Sequence, residues 1–86
     1  MDKVIEVDFK VTWQTPVFVR IGNGFRERVD GPDAALQALA HRWPECRSEA
    51  YGEARLRCLE ALVQHGSAET ARNRFIEAAI AAGVFA

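Results

Sequence analysis

The sequence lacks the features that would place a protein in a membrane or outside the cell. No apolar run approaches the ~20 residues that a membrane-spanning helix needs. The N-terminal stretch MDKVIEVDFK alternates polar and apolar residues, which is not the pattern of a secretory signal peptide. Cys46 and Cys58 are the only cysteines, and without a secretory signal we expect both to be reduced thiols. These features predict a cytoplasmic protein with no membrane segment.

A strong excess of charge of one sign is also missing. The 86 residues include 11 Lys and Arg against 12 Asp and Glu, a formal net charge of −1. That balance argues against nucleic-acid binding over the whole surface. The hydrophobic fraction of 49% and charged fraction of 27% are those of a globular chain. We therefore expect residues 1–86 to form a single small domain with one core.

No pattern of catalytic or metal-binding residues is present. His41, Cys46, Cys58 and His65 do not match the spacing of zinc ligands, and the last two would lie roughly 10 Å apart along one helix. Gly22-Asn23-Gly24 is too short for a phosphate-binding loop. We therefore expect no metal ion, no cofactor and no catalytic residue. An enzyme whose site lies between subunits is the least favoured function.

The first third of the chain predicts three β-strands. Apolar residues alternate with polar ones from Ile5 to Trp13. After a break at 14–16, a second strand has Val17, Val19 and Ile21 on one face and Phe18 and Arg20 on the other. Gly22-Asn23-Gly24 predicts a three-residue hairpin loop before a third strand. With a similar loop at 14–16, Trp13 would face Val17, and the strands would form an antiparallel meander.

The hairpin loop also predicts the register of its two strands. Val17 pairs with Val29, Val19 with Glu27 and Phe18 with Arg28, so that one face is mostly apolar. Glu27 is the exception on that face, and we interpret it as a charge that discourages pairing between sheet edges.

The remainder of the chain predicts three helices. Pro32 begins the first, and Trp43-Pro44 ends it. Ser48 and Ser67 are the predicted N-caps of the second and third helices, and Gly83 ends the third. The second helix carries two apolar stripes, one of them Leu56, Leu59 and Val63, which predicts a central helix packed on more than one side. The fold class is therefore α+β, with three helices on one face of the meander.

The outer face of the meander carries the main candidate site. We define the arginine face as the basic residues and one aromatic that the register brings together there: Lys10, Phe18, Arg20, Arg26 and Arg28. Like charges facing one another repel, so their grouping suggests a binding surface. Arginine pairs well with carboxylate-rich protein partners. The ordinary alternative is a solvated face that Glu6, Asp8 or a helix carboxylate neutralises.

Nucleic-acid binding is the second functional alternative. An aromatic among basic residues on a sheet is typical of platforms for single-stranded nucleic acids. The second and third helices could instead form a helix-turn-helix in which Arg72, Asn73 and Arg74 contact bases. Glu69 and Glu77 cancel much of that helix's positive charge, so a non-enzymatic protein-interaction module is favoured. The sheet edges and the apolar C-terminal tail also suggest a homodimer.

Four segments resemble a known protein family: PVFVRIG, VDGPDAALQALAHRWP, YGEARLRCLEAL and SAETARNRFIEAAIAAG. Together they are similar to domain-of-unknown-function family 982, small single-domain proteins of alphaproteobacteria. The resemblance extends from about Trp13 to Gly83, and its most specific part is the Gly-Pro helix start followed by Trp43-Pro44. It implies no established activity, substrate or catalytic residue.

Overall fold

A β-hairpin followed by three helices makes up the fold. The computed structural model describes residues 11–22, 24–44, 48–63 and 66–86. The elements in chain order are β1 (Val17–Val19), β2 (Glu27–Val29), α1 (Pro32–His41), α2 (Glu49–Leu62) and α3 (Ala68–Ala82). The α+β class and the three helices are confirmed. Within the described ranges, no helix is long and apolar enough to cross a membrane.

The hairpin has the register that the sequence predicts. β1 and β2 are antiparallel, with Val17 opposite Val29, Phe18 opposite Arg28 and Val19 opposite Glu27. The three valines are buried in the core. Because side chains alternate across a strand, Phe18 and Arg28 lie on the opposite, outer face.

The first strand of the predicted meander is not confirmed. Residues 1–10, which contain most of it, lie outside the described residues, and Val11 to Trp13 are not in a strand. The Trp13 backbone N–H donates to the carbonyl oxygen of Asp30, the residue directly after β2, at 2.8 Å. Trp13 therefore does not face Val17 as the predicted meander requires. The carbonyl oxygen of Val11 lies 2.5 Å from where a Cβ at Gly31 would be, so this close approach requires glycine.

The C-terminal segment occupies the edge of β1 where we predicted the first strand. The Arg20 N–H donates to the Val84 carbonyl oxygen at 2.8 Å, and the Ala86 N–H donates to that of Phe18 at 3.0 Å. Val19 and Phe85 form an antiparallel bridge between them. These bonds cover an edge that could otherwise pair with another chain. Because the C-terminal segment covers this edge within the same chain, the edge is not open for the predicted homodimer contact.

The helix boundaries follow from local capping. The Ser48 hydroxyl accepts a hydrogen bond from the Tyr51 N–H at 3.4 Å, and the Ser67 hydroxyl accepts one from the Thr70 N–H at 3.1 Å. Pro32 begins α1 without a side-chain cap. The three predicted helix starts are therefore confirmed, because each satisfies or removes backbone donors that have no partner within the helix.

The end of α3 directs the chain back to the sheet. Gly83 has φ +76°, a left-handed conformation that glycine adopts without a steric penalty. The Val84 N–H then donates to the Ala79 carbonyl oxygen at 2.9 Å. This turn places the buried Val84 beside β1.

The core centres on Phe75 of α3, which is fully buried between two tryptophans. Its ring centroid lies 5.9 Å from that of Trp13 and 5.5 Å from that of Trp43. Both indole N–H groups are buried, and neither has a hydrogen-bond partner in the described part of the chain. The aromatic cluster thus joins α3 to the chain segments before β1 and after α1.

α2 packs against both α1 and α3, as expected for a central helix. The Tyr51 hydroxyl donates to the Leu39 carbonyl oxygen of α1 at 3.1 Å. The second apolar stripe of α2 does not lie in the core, however. Leu56, Leu59 and Val63 are 45%, 40% and 58% exposed, so the prediction that this stripe is packed is wrong for the single chain.

Candidate binding face of the hairpin

The outer face of the hairpin brings three predicted arginines to the surface. Arg28 lies opposite Phe18 in the ladder. Arg20 directly follows β1, and Arg26 directly precedes β2. All three arginines are exposed, and Phe18 is half-buried. Lys10, the fifth predicted member of the arginine face, lies outside the described residues.

Arg26 and Phe18 contact each other on this face. The guanidinium carbon of Arg26 lies 4.4 Å from the centroid of the Phe18 ring. A cation in this position is attracted to the ring, by about 0.5–1 kcal/mol at an exposed site. The contact offsets part of the repulsion among the arginines and orders the Arg26 side chain. It also covers the ring that a nucleic-acid base would need for stacking.

Carboxylates neutralise this face only in part. The Nε of Arg28 lies 3.8 Å from Oδ2 of Asp30, and both side chains are at least half exposed. A pair of that kind contributes little. Arg20 and Arg26 form no ion pair with any residue in the described ranges. Glu6 and Asp8, which the neutralised alternative invoked, lie outside those ranges.

Glu27 is held on the other side of β2 by Arg42, the C-cap of α1. Arg42 Nη2 donates to Glu27 Oε2 at 2.6 Å, and Nη1 contacts Oε1. These hydrogen bonds, with the attraction between the charges, lower the pKa of the Glu27 carboxyl and raise the pKa of Arg42. Glu27 thus joins β2 to α1, a role that our interpretation of an edge guard missed. No sequence signal links the two residues.

The alternative set on α3 is largely engaged within the chain. Arg72 Nε donates to the Thr15 carbonyl oxygen at 2.7 Å. Arg74 Nη1 donates to Glu77 at 3.1 Å, while Asn73 is exposed. The arginine face and this set lie on separate elements, β1–β2 and α3.

Two of the four cysteine and histidine residues of the chain, Cys58 and His41, lie in the described ranges. Cys58 is buried, and burial raises the pKa of its thiol to about 12. Such a thiol is not a nucleophile at neutral pH, because the reactive form is the thiolate. His41 is exposed on α1, whereas Cys46 and His65 lie outside the described residues. Across the described residues, no three His, Cys, Asp or Glu side chains converge on a metal position.

Comparison with known proteins agrees with this fold. The sequence profile of the family "Protein of unknown function (DUF982)" matches residues 15–86. No curated protein matches the chain. The NMR structure of Agrobacterium tumefaciens protein Atu1219, a structural genomics target, is similar to this chain with a TM-score of 0.75 and 29% sequence identity. The similarity covers 95% of this chain and 86% of that one. The chain belongs to the DUF982 family.

Proposed function

We propose that this protein is a non-enzymatic interaction module of the cytoplasm that binds a carboxylate-rich segment of a partner protein on the arginine face. The supporting observation is the unbalanced charge of that face. Arg20 and Arg26 lie exposed on the hairpin without an ion-pair partner in the described ranges. Guanidinium groups bind carboxylates through paired hydrogen bonds, so an acidic segment would supply the missing partners.

A protein ligand suits this face better than a nucleic acid does. Arg26 lies over Phe18, so a base could stack on the ring only after displacing the guanidinium. An acidic peptide needs no such displacement, because it binds the exposed nitrogen atoms of the same guanidinium. The formal net charge of −1 also gives a nucleic acid little long-range attraction.

The proposal is tested by NMR titration of the full ¹⁵N-labelled chain with a polyglutamate peptide and, separately, a single-stranded oligonucleotide. We expect the peptide to shift amide signals of β1 and β2. Arg20→Ala with Arg26→Ala should abolish those shifts. Arg72→Ala with Arg74→Ala removes the same charge from α3 and serves as the matched control, which should bind the peptide normally.

Three outcomes would contradict the proposal. One is no peptide-induced shift even at low salt. Another is equal loss of binding in the two double variants, which would indicate an effect of total charge alone. The third is oligonucleotide binding that displaces the peptide and falls steeply with salt, which would favour the nucleic-acid alternative because phosphate contacts release counterions.

A further inference from the structure

A second exposed surface lies on α2, away from the residues that the proposed function uses. Leu56 and Leu59 of α2 and Val63, the C-cap that directly follows it, are 45%, 40% and 58% exposed. They follow one another at helical spacings of three and four residues, so they form one continuous stripe. Singly scattered apolar residues are ordinary on a protein surface, but large ones aligned along one helix indicate a contact.

Gly52 extends this stripe by one turn. It is exposed, and a Cβ at this position would have no atom within 4 Å from any described residue beyond its chain neighbours and the backbone of its own helix. Glycine within a helix is less stable than alanine, and no contact within the described part of the chain requires it here. A second helix packed against the stripe would favour it, because a residue without a side chain leaves room for a large side chain of the partner. We define the α2 stripe as Gly52, Leu56, Leu59 and Val63.

We propose that the α2 stripe binds the α2 stripe of a second copy of this chain, with the two helices antiparallel. A twofold axis between positions 57 and 58 places Leu56 opposite Leu59 of the partner subunit. It also places Gly52 opposite Val63 of the partner subunit, so a small residue meets a large one at each end. The same surface then serves both copies, as a twofold interface requires.

Charge on the flank of the stripe favours this orientation. Arg55 is exposed and forms no ion pair with a described residue. In an antiparallel pair, the side of α2 that carries Arg55 faces the side of the second α2 that carries Leu62 of the partner subunit. Leu62 lines an open groove of about 310 Å³ between α1 and α2, and Asp33 lines the same groove. Arg55 of each copy therefore lies close to Asp33 of the partner subunit, and the opposite charges favour the pairing.

The acidic residues on the other flank of α2 are already engaged. Glu53 and Glu60 both pair with Arg57 of the same helix, at 3.2 Å and 2.8 Å. A parallel arrangement would turn Arg55 toward that occupied flank and away from Asp33. Because Arg57 already pairs with both carboxylates, we expect the charges to favour the antiparallel pair over the parallel one. This places the homodimer contact on α2 and leaves the arginine face open for a ligand.

The test is sedimentation equilibrium of the full chain over a range of concentrations. We expect the native chain to dimerise, and Leu59→Lys to weaken the dimer by about tenfold or more, since it buries a charge against leucine. Ile80→Lys is the matched control. Ile80 is 59% exposed but lies on α3, so this variant should dimerise like the native chain.

Three further substitutions keep the test decisive if Leu59→Lys fails to fold. Gly52→Ala should raise the melting temperature of dilute protein and yet weaken the dimer. If Gly52 mattered only for the fold of the single chain, the two effects would not have opposite signs. Arg55→Glu and Asp33→Arg should each weaken the dimer, and together they should restore it. A chain that is monomeric at every concentration would overturn the proposal, as would a dimer that Leu59→Lys and Gly52→Ala leave unchanged.

Discussion

Arg42 at the end of α1 and Glu27 at the start of β2 form a carboxylate–guanidinium pair with two contacts, one of them 2.6 Å. The residues are 15 positions apart in the chain. The pair joins the first helix to the hairpin. It also holds the Glu27 carboxylate on the side of the hairpin away from the arginine face.

This pair predicts a pH dependence of stability. The folded pKa of Glu27 lies below its ordinary value of 4.5, so the pair contributes fully above that value. The contribution is lost as the pH falls through the folded pKa. Because both side chains are more than a third exposed, we expect Glu27→Gln to cost at most about 1 kcal/mol at neutral pH. Thermal melts should show the variant and the native chain converging in acid.

Controls for this pair come from Arg42→Ala and from a second ion pair. The double variant with Glu27→Gln should be no less stable than Arg42→Ala alone, because the interaction is already lost. Glu77 pairs with Arg74 at 3.1 Å within one helix, and Glu77→Gln should have almost no effect. A Glu27→Gln chain whose stability falls in acid as much as the native chain's would contradict the assignment.

Phe75 predicts the largest effect of a single substitution in the core. It is fully buried between Trp13 and Trp43, so Phe75→Ala leaves a cavity and should cost about 3–5 kcal/mol. Phe25 is 93% exposed, and Phe25→Ala should change stability by less than about 0.5 kcal/mol. Urea unfolding followed by tryptophan fluorescence measures both. Similar losses for the two variants would show that the aromatic cluster is not the centre of the core.

Two glycine-to-alanine substitutions should act in opposite directions. Gly83 has φ +76°, so Gly83→Ala should cost about 1 kcal/mol from backbone strain. Gly52 lies within α2 with open space around it, so Gly52→Ala should stabilise dilute protein by about 0.5–1 kcal/mol. Thermal melts of both variants at one low concentration make the comparison. The same sign for both would be inconsistent with the structure.

Removal of Val84–Ala86 should open the edge of β1. The Arg20 amide then loses its bond to the Val84 carbonyl, and we expect its hydrogen exchange to accelerate more than that of amides within α3. The burial of Val84 and two backbone bonds are also lost, at a cost of roughly 2 kcal/mol. Phe85→Ala keeps those bonds and is the control. Unchanged protection of Arg20 in the shortened chain would contradict this arrangement.

Cys58 should resist thiol reagents in the folded protein. Its pKa is raised to about 12 by burial, so almost no thiolate is present at neutral pH. In a Cys46→Ser chain, we expect labelling with a thiol reagent only after denaturant is added. The same chain with Cys58→Ala is the blank. Rapid labelling of folded protein would show that the thiol is accessible.

The hairpin register was predictable because it depends on a local pattern. A two-residue alternation and a glycine-containing loop leave only one register that keeps Val17, Val19 and Val29 on one face. The helix starts were predictable for a similar reason, since Ser48 and Ser67 act within a few residues of their own position.

The partner of β1 at its other edge was not predictable in this way. Val84 to Ala86 are too short to show a strand pattern, and only the turn at Gly83 and packing between distant segments bring them to β1. The arginine face was predicted from the register, but the contact between Arg26 and Phe18 depends on side-chain conformation. Likewise, an apolar stripe on α2 is visible in the sequence, whereas its exposure depends on which surfaces α1 and α3 cover.

The bridge between Val19 and Phe85 has a consequence for synthesis of the chain. The bridge joins residues 66 positions apart (85 minus 19). At ~5–20 residues per second, a ribosome needs roughly 3–13 seconds to make that interval. During these seconds, one edge of β1 in the nascent chain lacks its native neighbour, the segment that contains Phe85. The chain is therefore most open to mispairing with other nascent chains before residue 85 emerges, and a chaperone that acts early would protect this edge most effectively.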